Sequence, residues 1–351
     1  MKNGVRLAFG IVVALAMTCT ALAEDTLRLA IGQRGLWNTC FSEVGQRAGI
    51  FKKHALNLEI LYTQGSGETQ QAAIAGSADI AVGVGIMGAL SAYSKGAPVR
   101  IIGNETKGAG DLFWYVKADS PIRTLQDADG RTIAYSTNGS STHGVVTAFI
   151  KQLVPHARAT ATGGPAATLT AVMSGQVDVG WAAPPFALDQ LDRNEIRQIA
   201  TGNDTLFKGQ TVRVLVTTAP VLSSRKDAIE RYLAGYRETI DWLYADSAAL
   251  NVYAEFAGIT LAKATRIRDQ FFPKSAISPD EITGLDLIMP DAMDLKFISA
   301  PLGQRQLAEL IQIPPRKLRD ETPGRALTER PITLAERARE SALAIRESPY
   351  H

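Results

Sequence analysis

Short apolar runs alternate along this chain with segments whose apolar residues recur every three or four positions. The runs predict buried strands and the segments predict amphipathic helices. Residues 26–31 predict a strand, 41–51 a helix, 56–62 a strand, 68–75 a helix, 79–82 a strand, 87–95 a helix and 99–102 a strand. That order predicts a mainly parallel sheet flanked by helices. A second series begins near residues 112–116. It predicts strands at 132–135, 159–162, 177–181, 196–201 and 211–217, with helices at 144–153, 166–174 and 186–191. Beyond Ser224 the pattern is helical alone. Ile229, Leu233, Tyr236, Ile240 and Leu243 share one face, 257–271 and 300–310 predict further helices, and 334–347 predicts a charged peripheral one.

One phrase occurs in both series. Residues 73–83 read AIAGSADIAVG and residues 172–182 read VMSGQVDVGWA, so Gly175 and Asp178 follow Gly76 and Asp79 by 99 positions. Each copy is a helix end, a glycine that lets the chain turn, and an acid that opens a strand. A corner built twice predicts two similar α/β lobes with a ligand cleft between them. Residues 24–110 plus 218–351 form the first lobe and 111–217 the second, with crossings at 107–111 and 217–220. Asp79 and Asp178 lie at the amino ends of their strands, away from such a cleft, and are read as structural.

The N-terminus sets the compartment. Lys2 and Arg6 precede the apolar run 7–16, and Ala21-Leu22-Ala23 supplies the small residues of a cleavage site. The run is too short for a bilayer span. Thr18 fits poorly before a lipidated Cys19, so cleavage after Ala23 and release into the periplasm are expected. The formal charge of +2 comes from 37 bases and 35 acids, and loss of Lys2 and Arg6 brings it to zero. No basic patch points to nucleic acid. Cys40 is then the remaining cysteine, which excludes an intramolecular disulfide.

Ligands of such sheets sit at the carboxyl ends of strands. The loops there are rich in Gly, Ser, Thr and Asn. Residues 136–142 carry six hydroxyl or amide side chains at a predicted helix start, where free N–H groups favour an anion. The candidate contacts in that loop are Ser136, Asn138, Ser140, Ser141 and Thr142. Gly65 and Ser66 form the equivalent loop of the first lobe, with Gly85 after the third strand. Arg34 could clamp a carboxylate or sulfonate. Trp37 beside Asn38, and Trp181 before Pro184, could wall the cleft or belong to the core. The four histidines lack metal spacing, there is no G-x-S-x-G elbow, and His143 reads as a helix-start residue. No catalytic residue, metal or cofactor is expected.

Several phrases in order resemble the periplasmic substrate-binding proteins of ABC importers, in the nitrate/sulfonate/taurine-type group that includes thiamine-precursor-like binders. Gly49-Ile50-Phe51-Lys52-Lys53-His54 is similar to a family phrase that ends in Gly where this chain has Ala55. Residues 72–80 resemble the family corner. Ser120-Pro121-Ile122 through Leu125, with Asp129-Gly130-Arg131-Thr132-Ile133, resembles its entry to the second lobe. Residues 172–178 and 182–186 resemble the second corner and the loop after it. The resemblance implies the type II two-lobed fold and a monomeric receptor. That receptor would hand a small organic anion, a sulfonate or carboxylate, to an inner-membrane permease and its ATPase. An enzyme of the same fold or a ligand sensor for a membrane receptor are the alternatives.

Overall fold

Alternation of strand and helix carries the chain through its first sheet. In the computed structural model, which describes residues 24–316, these elements are β1 (Asp25–Gly32), α1 (Phe41–Arg47), α2 (Ile50–Lys53), β2 (Leu56–Thr63), α3 (Ser66–Ile74), β3 (Ile80–Gly85), α4 (Ile86–Ser94) and β4 (Val99–Lys107). The expected signal peptide and the charged segment 334–347 lie outside the described residues. The second series gives β5 (Phe113–Lys117), β6 (Thr132–Tyr135), α5 (Ser141–Gln152), β7 (Arg158–Ala161), α6 (Pro165–Met173), β8 (Gly180–Ala182), α7 (Leu188–Asp192) and β9 (Ile196–Thr201). Then come β10 (Thr211–Thr218) and the helices α8 (Ala219–Ser224), α9 (Lys226–Ala245), α10 (Ala249–Ala257), α11 (Leu261–Phe271), α12 (Leu285–Asp294) and α13 (Gln304–Leu310).

The sheets are mixed rather than mainly parallel. The first runs β2-β1-β3-β10-β4, with β1 parallel to β2 and β3, and β10 antiparallel to both of its neighbours. β10 is buried along its whole length, which suits the apolar run of a central strand. It lies in the first sheet, so the chain returns there before Thr211 and not near residues 217–220 as expected. In the second series β8-β5-β9 is antiparallel and β6 pairs parallel with β7. A bridge from Ile133 to Val179 joins the two sets in the order β7-β6-β8-β5-β9. Both sheets therefore share one plan. β6, β7, β8 and β9 stand where β1, β2, β3 and β4 do, and the reversed strand comes from outside each run, β10 long after β4 and β5 just before β6.

Two predicted helices are broken at glycine. Gly49 at φ +74° divides 41–51 into α1 and α2, and Gly258 at φ +67° ends α10 before α11. That left-handed conformation suits glycine and closes helices.

The repeat extends further than the sequence phrase. Thr69 Oγ1 lies 2.7 Å from Thr63 Oγ1 and donates to Gly65 O at 3.1 Å. Ninety-nine positions on, Thr168 Oγ1 lies 2.6 Å from Thr162 Oγ1 and donates to Gly164 O at 3.0 Å. Gly76 and Gly175 turn at φ +76° and +78°. Ala72 O accepts Ser77 N–H and Ala78 N–H, and Ala171 O accepts Gln176 N–H and Val177 N–H.

The C-terminal helices cover the first sheet. Trp37 is fully buried with its ring edge-on to Tyr253 at 4.7 Å, and its Nε1 donates to Tyr244 Oη at 3.2 Å. Ile311 pairs with Ile101 beside β4. Among the described residues no helix is long and apolar enough to cross a membrane.

Candidate functional site

The carboxyl ends of β1, β3, β6 and β8 meet around one small cavity. From the first sheet's side Gly32, Asn38, Thr39, Ser66, Gly83 and Arg213 reach it; from the second come Ser136, Ser141, Thr142, Trp181 and Ala183. Its volume is about 30 Å³. That is room for about two water molecules. A solute of several heavy atoms enters only if these walls separate.

Two helices begin at the cavity. Ser66 is the first residue of α3 and Ser141 the first of α5. The first N–H groups of a helix have no internal partner, and the helix dipole is positive at that end. The hydroxyls near α5 are partly committed to one another. Thr142 Oγ1 accepts Ser136 N–H at 2.9 Å and lies 2.9 Å from both Ser136 Oγ and Ser140 Oγ. Ser140 caps α5 by accepting His143 N–H at 3.0 Å. His143 Nδ1 accepts Gly139 N–H at 3.1 Å, its ring stacks on Tyr135, and burial lowers its pKa. The imidazole is thus held neutral as part of the loop.

Glycines make room for that loop. A Cβ on Gly85 would stand 2.7 Å from Ser141 N, and one on Gly65 2.8 Å from Thr137 Cγ2. Added Cβ atoms on Gly67 and Gly88 would strike Asn138 O and Gly139 O. Gly67 N–H also donates to Thr137 Oγ1 at 3.1 Å. Backbone lies against backbone here, which a side chain would prevent.

Arg213 brings charge to the cavity, and Asp111 and Glu105 are buried behind it. Arg213 on β10 donates from Nη1 and Nη2 to Asp111 at 3.2 and 2.8 Å, and from Nε to Ser141 Oγ at 3.3 Å. Arg213 is 4% exposed and Asp111 2%. A charge buried that deeply needs such a partner. Glu105 on β4, 1% exposed, accepts Asn38 Nδ2 at 2.6 Å. Burial raises its carboxyl to about 7, although Arg213 and the Asn38 bond pull it down. Asn38 Oδ1, Glu105 Oε2 and Trp181 Nε1 are buried with no hydrogen-bond partner.

Of the residues singled out in the sequence, Asn38, Ser66, Ser136, Ser141, Thr142 and Trp181 line the cavity. Gly65 and Gly85 receive the 137–141 loop, and Ser140 caps α5. Asn138 Oδ1 accepts from Tyr135 Oη at 2.6 Å and borders a separate groove. Arg34 is exposed, with its guanidinium 4.7 Å above the Phe256 ring. Trp37 belongs to the aromatic core, so it does not face Trp181. Pro184 is buried just past β8 and does not line the cavity. Sequence reasoning missed Arg213, Glu105 and Asp111. An ionisable residue inside an otherwise apolar strand was the available signal for Arg213; Glu105 follows the predicted strand 99–102, between Asn104 and Thr106, and carried no such signal. Cys40 is buried and its thiol is pushed up, which disfavours the reactive thiolate.

No curated protein matches the chain in sequence. Solved structures match it in fold. The alkanesulfonate-binding protein SsuA of Xanthomonas axonopodis, bound to MOPS, is 16% identical with a TM-score of 0.65 over 84% of this chain and 100% of its own. The periplasmic nitrate-binding protein NrtA of Synechocystis is 13% identical with a TM-score of 0.63 over 81% of this chain and 84% of its own. DSZB, solved as a cysteine-to-serine variant with biphenyl-2-sulfinic acid, is 14% identical with a TM-score of 0.55 over 84% and 97%. The chain has the α/β periplasmic binding protein fold. The family described as NMT1/THI5 like matches residues 40–249, more than half of the chain, and the chain belongs to that family.

Proposed function

We propose that this protein is a periplasmic solute receptor that binds a small organic anion and delivers it to an ABC permease with its ATPase. One observation carries the reading. A cavity between the two sheets is walled by buried hydroxyls and by the starts of two helices. Helix starts favour anions, so a sulfonate or carboxylate is the expected head group. The Trp181 ring offers a flat apolar wall for the rest of the solute. The lobes built on the two sheets would open about the stretches 108–112 and 202–210 and close on the ligand. SsuA is alkanesulfonate-binding and NrtA nitrate-binding, which supports anion binding on this fold.

The test is a thermal-shift screen of organic sulfonates and carboxylates on the mature protein, followed by native mass spectrometry. One acid should raise Tm by several degrees and be recovered unreacted at one per chain. Recovery of a converted product would favour an enzyme of the same fold instead. A screen in which no acid binds would defeat the anion reading.

A further inference from the structure

A second and larger pocket opens where the stretches 108–112 and 202–210 pass between the sheets. Its volume is about 320 Å³, and Lys107, Gly110, Asn203, Lys208, Phe271 and Pro273 are among its lining. That is the size of a small-molecule site. Close backbone contact sets the two stretches side by side. Gly108 N–H donates to Gln210 O at 2.9 Å, and a Cβ on Gly108 would stand 3.2 Å from Lys208 O. Asn203 Oδ1 accepts Ala109 N–H at 2.9 Å. A Cβ on Gly110 would stand 2.6 Å from Asn203 Nδ2, so the glycine leaves that amide its place.

The charges of this pocket are unbalanced. Lys107 and Lys208 are exposed, and among the described residues neither has an acidic partner. Bases just beside the pocket are paired, Arg268 with Asp269 at 2.7 Å and Lys274 with Asp241 at 2.8 Å. The acid in the lining, Asp111, is 2% exposed and gives both carboxylate oxygens to Arg213. Asn203 Nδ2 has no acceptor among the described residues. Two ammonium groups and an amide donor therefore line a pocket whose carboxylate is already taken. Phe271, Pro273 and Ala276 supply an apolar wall.

We propose that this pocket is a second binding site, which takes a small oxyanion, a carboxylate, phosphate or sulfate group, between Lys107 and Lys208 with Asn203 Nδ2 donating to it. An apolar body on the anion rests against Phe271 and Pro273. Both crossing stretches and the segment 271–276 line the pocket, so an occupant ties them together. It fits the arrangement in which the cavity between the sheets has shrunk to about 30 Å³, and it therefore favours the closed form. By reciprocity, an occupant here and a solute in that cavity strengthen each other's binding. The site stands on its own geometry; its effect on closure rests on the solute-receptor reading.

The test is an amide NMR titration of the mature protein with sodium benzoate, phosphate and sulfate at constant ionic strength. Shifts should appear at residues 107–111, 203, 208 and 274–276 rather than at 136–142. Benzoate as the tightest of the three identifies an organic acid, and phosphate or sulfate an inorganic one. Lys107→Gln with Lys208→Gln, with folding checked by circular dichroism, should weaken that anion about tenfold. Lys107→Arg with Lys208→Arg should keep it, and so should Ser141→Ala. At saturation, small-angle scattering should give a smaller radius of gyration than without the anion. No shift at the crossing residues with any of the three overturns the second site and leaves the receptor reading standing. Shifts confined to 136–142 that vanish in Ser141→Ala put the probe in the cavity between the sheets and overturn it too. Crossing shifts that survive Lys107→Gln with Lys208→Gln overturn the oxyanion assignment. An unchanged radius overturns the link to closure.

Discussion

The turns at Gly76–Asp79 and Gly175–Asp178 share a backbone and differ in what their carboxylates hold. Asp79 accepts Arg28 N–H and the Arg28 guanidinium, both at 2.8 Å, and Arg225 Nη1 at 3.0 Å. Asp178 accepts the N–H and hydroxyl of Thr132 at 2.9 and 2.7 Å, and the Thr132 hydroxyl accepts Asp178 N–H in return. Each acid ties its own strand to the neighbouring one, β3 to β1 and β8 to β6. The first is an ion pair with Arg28 of β1, joined by Arg225 from the C-terminal helices; the second is a carboxylate–hydroxyl exchange. The opposite ends of the same strands differ as well. Trp181 at the cavity stands where β3 has Val82. The repeat therefore conserves the backbone route, while whatever covers each copy sets the chemistry.

The largest expected effect probes that contrast. Asp79→Ala should cost about 2–3 kcal/mol in urea unfolding, because Asp79 accepts a backbone N–H and two guanidinium groups as a charged acceptor. Asp178→Ala should cost about 1–2 kcal/mol, the value of hydrogen bonds to a charged acceptor. Equal losses would mean that Arg225 adds nothing.

Acid titration sharpens it. Burial alone would raise Asp79, but the Arg28 bonds and the nearby Arg225 hold its pKa below the usual carboxylate range. Asp178 is lowered too, by the Thr132 bonds and by Arg131 and Arg158 working against burial. Each contributes stability that is present at neutral pH and is lost as pH falls through its folded pKa. The unfolding free energy should decline below about pH 4. Asp79→Asn should flatten that decline more than Asp178→Asn. Glu105 has the opposite sign. Its raised carboxyl makes stability fall as pH climbs from its ordinary 4.5 toward about 7, and Glu105→Gln should remove that slope.

The smallest effect tests the shared part. Thr69→Val and Thr168→Val each remove a hydroxyl that bonds a glycine carbonyl and a second threonine. Each should cost about 1 kcal/mol. A marked inequality would show that the two copies are not energetically equivalent even where their geometry is.

Much of the candidate cavity's lining was legible, and the charged residues at and behind it were not. Composition and loop position pointed to Asn38, Ser66, Ser136, Ser141, Thr142 and Trp181, which line the cavity. The same signals pointed to Gly65, Gly85, Asn138 and Ser140, which instead seat or shape the 136–143 loop. Small polar residues suit both jobs, because close backbone approach and ligand contact each require little side-chain bulk. Arg34 and Trp37 share the first loop with Asn38, yet one lies over Phe256 and the other among aromatic rings of the C-terminal helices.

The order of elements, the doubled corner and the glycines that turn it are local properties, set by apolar periodicity and by the left-handed backbone that glycine tolerates, and the chain states them directly. Tertiary structure decided the rest. Reversal of β10 into the middle of the first sheet brings Arg213 toward the cavity beside Glu105, more than 100 residues earlier. The first crossing supplies Asp111 to hold that arginine. No local pattern encodes such a meeting, because burying a charge becomes tolerable only when a partner arrives from another part of the chain.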